Sequence, residues 1–218
     1  NERIRVIYFE EKVFNYSKII NFGVKNATGD YIMQLNNDTE LITPNWIESL
    51  LGYAQRKDVG AVGVKLYYPD NTIQHAGVII GMCGIAGHIF KGLHKDCRGY
   101  FARDSFVQNL SAVTAACIFS RKEIYEEVGY MDEKFAVAFN DIDFCLKIRE
   151  KGYLIVYNPY VELKHYESKS RGAENTPEKK KRFEGEIRRF EEKWGRILKE
   201  GDPYFNPNFR LDVNDYII

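Results

Sequence analysis

Through its first half the sequence alternates strand-like runs with segments of helical spacing, and this limits the fold more than any other feature. "RIRVIYFE" (3–10) is rich in branched and aromatic side chains and reads as a strand. "NYSKIINFGVKNA" carries Ile19, Phe22 and Gly23 at helical spacing, and "TGD" closes it as a turn. "YIMQL" (31–35) is the next strand. "TPNWIESLLGYAQR" predicts a helix with Thr43 at the N-cap and Pro44 at the first helical position. "VGAVGVKLYY" and "TIQHAGVIIG" read as strands separated by the turn "PDN". The alternation argues an α/β fold with a largely parallel sheet.

The second half continues in kind. Residues 81–99 are glycine-containing with scattered histidines and read as loop. "VTAACIF" is a buried strand, and "SRKEIYEEVG" a short helix with Ser120 and Glu123 as a capping box. "NDIDFCLKIREKG" is a helix closed by Gly152, with Ile142, Cys145, Leu146 and Arg149 on one side. "YLIVYN" and, after Pro159, "YVELKH" read as two strands. Thr176 and Pro177 open a long charged helix whose apolar stripe is Phe183, Ile187, Phe190 and Trp194. Residues 1–200 are expected to form one domain, with 201–218 as an extended tail packed on it.

Lys and Arg total 31, as do Asp and Glu, so the basic excess of a nucleic-acid binder is absent. No apolar run is long enough to span a bilayer and no signal peptide is visible. The expectation is a cytoplasmic protein, peripheral at most at the inner membrane face. No two of Cys83, Cys97, Cys117 and Cys145 have CxxC spacing, which argues against a zinc site; Cys117 and Cys145 read as core residues.

Three polar features stand out. The strand "YIMQL" ends in Asn36, Asn37, Asp38, Thr39 and Glu40. In open α/β sheets ligands bind beyond the carboxyl ends of strands. Asp38 or Thr39 could simply cap a local turn. One carboxylate at a strand end also suits Mg²⁺ or Mn²⁺ arriving with a nucleotide diphosphate. Second, Asp141 and Asp143 begin a helix after the apolar approach "FAVAF". Residues two apart on a helix point in nearly opposite directions, so one can face a cleft while the other caps or pairs. The helix dipole alone accounts for Asp143, whereas the apolar edge at Asp141 suits a general base. Third, His165 precedes a loop with Lys169 and Arg171, cations able to fold over a diphosphate.

In their order, "FNYSKIINFGVKNATGDYIMQLNNDTE", "TIQHAG", "VTAAC", "VGYMDEKFAVAFNDIDFCLKIREKGY" and "ELKHYESKSRG" resemble the family 2 glycosyltransferases, and most closely the branch that builds bacterial surface polysaccharides, rhamnosyltransferases included. The likeness covers nearly the whole chain. It implies a GT-A-type, Rossmann-like mixed sheet flanked by helices. It also implies an inverting transfer of sugar from a nucleotide-diphosphate donor to a hydroxyl of a saccharide or lipid-linked acceptor, with Mn²⁺ or Mg²⁺. Asn36 and Asp38 stand at the outer positions of the family's Asp-x-Asp motif: Asp38 would hold the metal, with Asn36 and Asn37 on the donor. Asn140-Asp141 stands where the family has Glu-Asp, making Asp141 the base. His165 matches the histidine that approaches metal and diphosphate, and Lys169 and Arg171 the loop that steadies the leaving group. His75, Asn140 and Asp143 are acceptor-side candidates.

The sequence departs from the family at its start. A βαβ unit of ~30 residues or more, which supplies the central strand and the base-reading acid, precedes the matching region in the family. Without it, this chain is expected to transfer little sugar alone and to self-associate through an exposed sheet edge. Two other readings remain open: a nucleotidyltransferase, and a non-catalytic carbohydrate-binding or scaffold domain of the same fold.

Overall fold

Strand β3, Val59–Tyr67, is buried along all nine residues, as its near-continuous apolar run requires, and the main sheet is built around it. The computed structural model describes residues 4–167 and 176–218. The other elements of the sheet are β1 (Tyr31–Leu35), β2 (Thr39–Leu41), β4 (Ile73–His75), β7 (Gln108–Leu110), β8 (Cys117–Arg121) and β9 (Leu154–His165). They run in the order β1-β8-β3-β9-β2, with β4 also on β3 and β7 also on β9. A small second sheet pairs β5 (Val78–Ile80) with β6 (Ala86–His88). Helices are α1 (Tyr16–Asn26), α2 (Trp46–Ala54), α3 (Lys122–Glu127), α4 (Asn140–Glu150) and α5 (Pro177–Glu200).

The sheet is mixed, not largely parallel. Among the described residues only β3 and β9 pair in parallel; β1–β8, β8–β3, β3–β4, β7–β9 and β2–β9 are antiparallel. Because β8 runs antiparallel to both neighbours, β1, β3 and β9 share one direction. Their carboxyl ends therefore line one edge, where Asn36 follows β1 and His165 ends β9.

Several local expectations are corrected by tertiary partners. Residues 4–10 form no ladder and are mostly exposed. The helix expected from Pro44 begins at Trp46. Thr43 is engaged by β9 instead: its hydroxyl donates to the Tyr160 carbonyl and accepts from the Glu162 N–H. Ser120 is no cap, because β8 continues through it and its hydroxyl donates to the Gly60 carbonyl at 2.6 Å. The expected strand over 72–81 splits in two at Gly77, whose φ of +111° lies in the left-handed region. Conversely, 154–165 is one strand. Its pairing to β3 jumps from Val64↔Asn158 to Lys65↔Glu162, so Pro159–Val161 bulge out where Pro159 has no N–H to give. The segment 81–99, expected to be loop, carries the short strand β6.

Two glycines of β3 let the neighbouring segments approach the sheet closely. A Cβ on Gly60 would stand 2.2 Å from Ile148 Cγ2 on α4, and one on Gly63 would stand 2.4 Å from Val113 Cβ. Both contacts matter for position: α4 begins with Asp141, and Val113 leads into Thr114 and Ala115. The tail from 201 to 218 lies against the domain through buried Phe205 and Tyr216 and through backbone bonds from Cys83 to Leu211 and from Phe90 to Asn214.

Candidate active site

The turn after β1 brings Asp38 to His165 by strand pairing. β2 returns antiparallel along the end of β9 with Thr39 opposite His165, and the Tyr166 N–H donates to the Asp38 carbonyl at 2.8 Å. In consequence Asp38 Oδ1 stands 3.1 Å from His165 Nε2, although 127 positions separate them in sequence. Asn36 Nδ2 approaches the same ring nitrogen at 3.2 Å. Thr39 does make the local turn contact, its hydroxyl donating to the Asn36 carbonyl. Asn37 is exposed at the tip of this turn.

Asn36 also faces a second group. It lines a cavity of 140 Å³ together with Tyr16, Thr114, Ala115, Asn140 and Asp141, among others. The Asn36 N–H is held by the Ala116 carbonyl at 2.9 Å. Asp141 accepts from the Ala115 N–H at 3.1 Å through Oδ2 and from the Ile142 N–H at 2.9 Å through Oδ1. A carboxylate has roughly four acceptor sites, so two such bonds fix its orientation and still leave lone pairs for a substrate proton. The Tyr16 hydroxyl donates to the Ala115 carbonyl at 3.1 Å. Burial, with Asp141 nearby, raises its pKa and keeps it a neutral phenol.

The wall before Asp141 is set from a distance. Glu186 of α5, 3% exposed, accepts from the Val137 and Ala138 N–H groups at 2.8 and 3.2 Å. Asn140 closes the same turn by donating to the Val137 carbonyl at 2.7 Å, and Phe139 adopts a left-handed φ of +61°. By composition alone Glu186 is one charge among many in a charged helix. Its register between Phe183 and Phe190 places it on the buried side, and that spacing was the available signal.

The remaining candidates separate. Asp143 lies away from the cavity, fully buried against α5, where Trp194 Nε1–H donates to Oδ1 at 2.8 Å and Lys193 Nζ lies 2.6 Å from the same oxygen. Burial pushes its carboxyl above the usual range, and Lys193 and then Trp194 pull it partly back. It ties α4 to α5. Asp143→Ala is expected to cost about 2–4 kcal/mol, because it leaves an indole N–H and a lysine without their buried partner. Denaturant unfolding would measure this, and a loss under ~1 kcal/mol would mean that the contact behaves like a surface pair. His75 sits behind Thr114, with the Thr114 N–H 3.4 Å from its Nε2 and His88 Nδ1 2.9 Å from its Nδ1. Burial holds it neutral, well below the ordinary histidine range. It backs the cavity wall and does not line it. Lys169 and Arg171 lie outside the described residues.

Metal binding can be tested on this geometry. Among the described residues no three His, Cys, Asp or Glu side chains converge as a ready metal cage. Two donors bound at ~2.1 Å and at right angles to one octahedral cation stand ~3 Å apart, which is the separation of Asp38 Oδ1 and His165 Nε2. The pair fits a hard divalent cation that takes its other ligands from phosphate and water. A larger cavity of 790 Å³ lies between α4, α5 and the tail, lined by neither Asp38 nor His165.

Residues 1–129 match the family model described as glycosyl transferase family 2. The chain is 45% identical over 222 residues to an uncharacterized protein of Sinorhizobium fredii, covering all of this chain and 24% of that protein. It is 38% identical over 203 residues to the O-antigen biosynthesis protein RfbC of Myxococcus xanthus, covering 93% of this chain and 16% of that one. An N-acetylglucosaminyl-diphospho-decaprenol L-rhamnosyltransferase of Mycobacterium tuberculosis is 23% identical over 161 residues, covering 66% and 49%. The chain thus spans a quarter or less of the length of the first two relatives. Among solved structures, GalNAc-T7 with UDP, GalNAc and Mn²⁺ superposes with a TM-score of 0.60 at 13% identity, over 85% of this chain and 36% of that one. At that identity the likeness concerns the GT-A fold alone.

Proposed function

The chain belongs to glycosyl transferase family 2, and we propose that it carries the metal site and base of an inverting glycosyltransferase of surface polysaccharide synthesis. The donor is a nucleotide-diphosphate sugar, and the acceptor a hydroxyl of a saccharide or lipid-linked saccharide. The observation that carries this reading is Asn36. It touches the Asp38–His165 pair and also lines the cavity that holds Asp141. A diphosphate-binding end and a basic end are thereby joined through one residue.

Asp38 and His165 would hold Mn²⁺ or Mg²⁺, which when bound supplies positive charge against the departing diphosphate. The Asn36 amide orients the His165 ring and borders the donor. On the other side the acceptor O–H enters the cavity and gives its proton to Asp141. Its oxygen forms the new bond to the anomeric carbon as the bond from that carbon to the diphosphate oxygen breaks, and the electron pair leaves on the diphosphate. Direct displacement inverts the anomeric centre. Lys169 and Arg171 are proposed to steady the leaving group. The names of the Myxococcus and Mycobacterium relatives support the polysaccharide setting, and the Mn²⁺ in the GalNAc-T7 structure supports the cation. No helix among the described residues is long and apolar enough to cross a membrane. The reaction is proposed to be cytoplasmic, peripheral at most at the inner membrane face.

A thermal-shift screen of nucleotide-sugars with and without Mn²⁺ on the full-length protein tests the proposal. A ligand at 100 times its Kd stabilises by ~2.7 kcal/mol, which is a rise of ~5–10 °C for a domain of this size. The expected result is one nucleotide class that shifts melting only with Mn²⁺. Sugar binding without metal dependence would favour the scaffold reading, and pyrophosphate release from a nucleoside triphosphate would favour a nucleotidyltransferase.

A further inference from the structure

Gln74 is the extra residue of a β-bulge. Along β3 and β4 the pairs are Leu66↔His75 and then Tyr67↔Ile73, so one step on β3 is matched by two on β4. Bulges re-aim a side chain out of the regular alternation. Here the side chain, 5% exposed, meets a single residue twice: its Oε1 lies 2.7 Å from His165 Nδ1, and its Nε2 donates to the His165 carbonyl at 3.3 Å. The same Nε2 is 3.3 Å from Glu167 Oε2. With the amide nitrogen turned to two oxygens, Oε1 is the acceptor for the ring. The proton of neutral His165 then sits on Nδ1.

The other ring nitrogen shows why this matters. Nε2 faces Asp38 Oδ1 at 3.1 Å and the Asn36 amide nitrogen at 3.2 Å. Left to itself, the Asp38 carboxylate would draw the imidazole proton to Nε2. A proton there would occupy the lone pair that a cation needs. We propose that Gln74 is a positioning residue: from its bulge it holds the proton of His165 on Nδ1 and so keeps Nε2 open beside Asp38 for a divalent cation. This deepens the proposed function and rests on it for the cation, but not for the tautomer.

The test uses two variants of the full-length protein and two readouts. Gln74→Met keeps the length and removes both bonds; Gln74→Glu keeps an acceptor for Nδ1 and loses the donor. The ring ¹⁵N shifts of His165, assigned by comparison with His165→Ala, report the tautomer without any metal. Titration with Mn²⁺ alone reports affinity. In the parent and in Gln74→Glu the Nδ1–H form is expected. In Gln74→Met the proton is expected to move to Nε2 and Mn²⁺ affinity to fall by ~10–100-fold, the usual cost of losing a partner behind a metal-bound histidine. A Met variant with unchanged ¹⁵N shifts and unchanged Mn²⁺ affinity would overturn the proposal, and so would loss of the Nδ1–H form in a folded Glu variant. If His165→Ala binds Mn²⁺ like the parent, the metal reading fails separately, while the ¹⁵N shifts still decide what Gln74 does.

Discussion

Asp141→Asn is expected to lower sugar transfer by ~10²–10⁴-fold, the usual contribution of a general base, while Mn²⁺-dependent binding of the nucleoside diphosphate stays near normal. The geometry sets the reason. Asp141 lies at the start of α4 with both oxygens oriented by backbone N–H groups, on the wall of a cavity that also exposes Asn36. An amide keeps the size of the carboxylate but cannot take a proton. It also turns one NH₂ toward an N–H, at Ala115 or Ile142, so one orienting bond is lost. Neither change touches Asp38 or His165. The loss should fall on kcat, since the proton moves only as the reaction proceeds. Steady-state kinetics with the donor found by the nucleotide screen, alongside diphosphate binding by calorimetry, would check this. Near-normal transfer would remove Asp141 from the mechanism, and parallel loss of transfer and donor binding would assign it to the donor site instead.

The elements legible in the sequence were those whose pattern is complete within themselves. α1, α4 and α5 form where expected, Thr176 caps α5 by accepting from the Lys179 N–H, and Cys117 and Cys145 are buried. But α1 buries Ser17, Asn21 and Val24 and leaves Ile19 and Gly23 exposed, and α5 buries Phe190 and Trp194 while Phe183 stays exposed. What was misread depended on partners elsewhere in the chain. Periodicity does not encode strand direction, so the apolar run of β8 could not announce that it returns antiparallel between β1 and β3. Thr43 and Ser120 have the side chains of caps, but strands across the sheet had better use for their hydroxyls. Asp38 and His165 were marked separately by residue type and joined only by resemblance to a family. The structure supplies the joining physics, a reversed strand that sets Thr39 opposite His165. Gln74 lies in the family-like run "TIQHAG" but drew no role from the sequence, since its position depends on one extra residue in a ladder. Of the two helix-start acids, the apolar approach favoured Asp141, and the structure puts Asp141 on the cavity and Asp143 in the core.

The second large effect is expected on binding. Asp38→Ala should weaken Mn²⁺-dependent nucleoside diphosphate binding by ~100-fold or more, because residues merely behind a metal ligand already contribute ~10–100-fold and Asp38 would be a ligand itself. Among the described residues it provides the carboxylate facing His165 Nε2. Its backbone role would survive the substitution, since the bond from Tyr166 N–H goes to the Asp38 carbonyl and the β2–β9 pairing does not use the side chain. The variant should therefore fold and melt like the parent in the absence of ligand. Asp143→Ala is the matched control. It also removes one carboxylate from an acidic motif, but from a buried contact with Trp194 and Lys193, so it should lose stability and keep affinity once folded. Calorimetry with Mn²⁺ and the nucleoside diphosphate, beside denaturant unfolding of both variants, separates the two outcomes. Equal losses of affinity from Asp38→Ala and Asp143→Ala would contradict the division of labour between strand end and helix core. An Asp38→Ala protein that binds the Mn²⁺ complex as tightly as the parent would move the metal away from the end of β1.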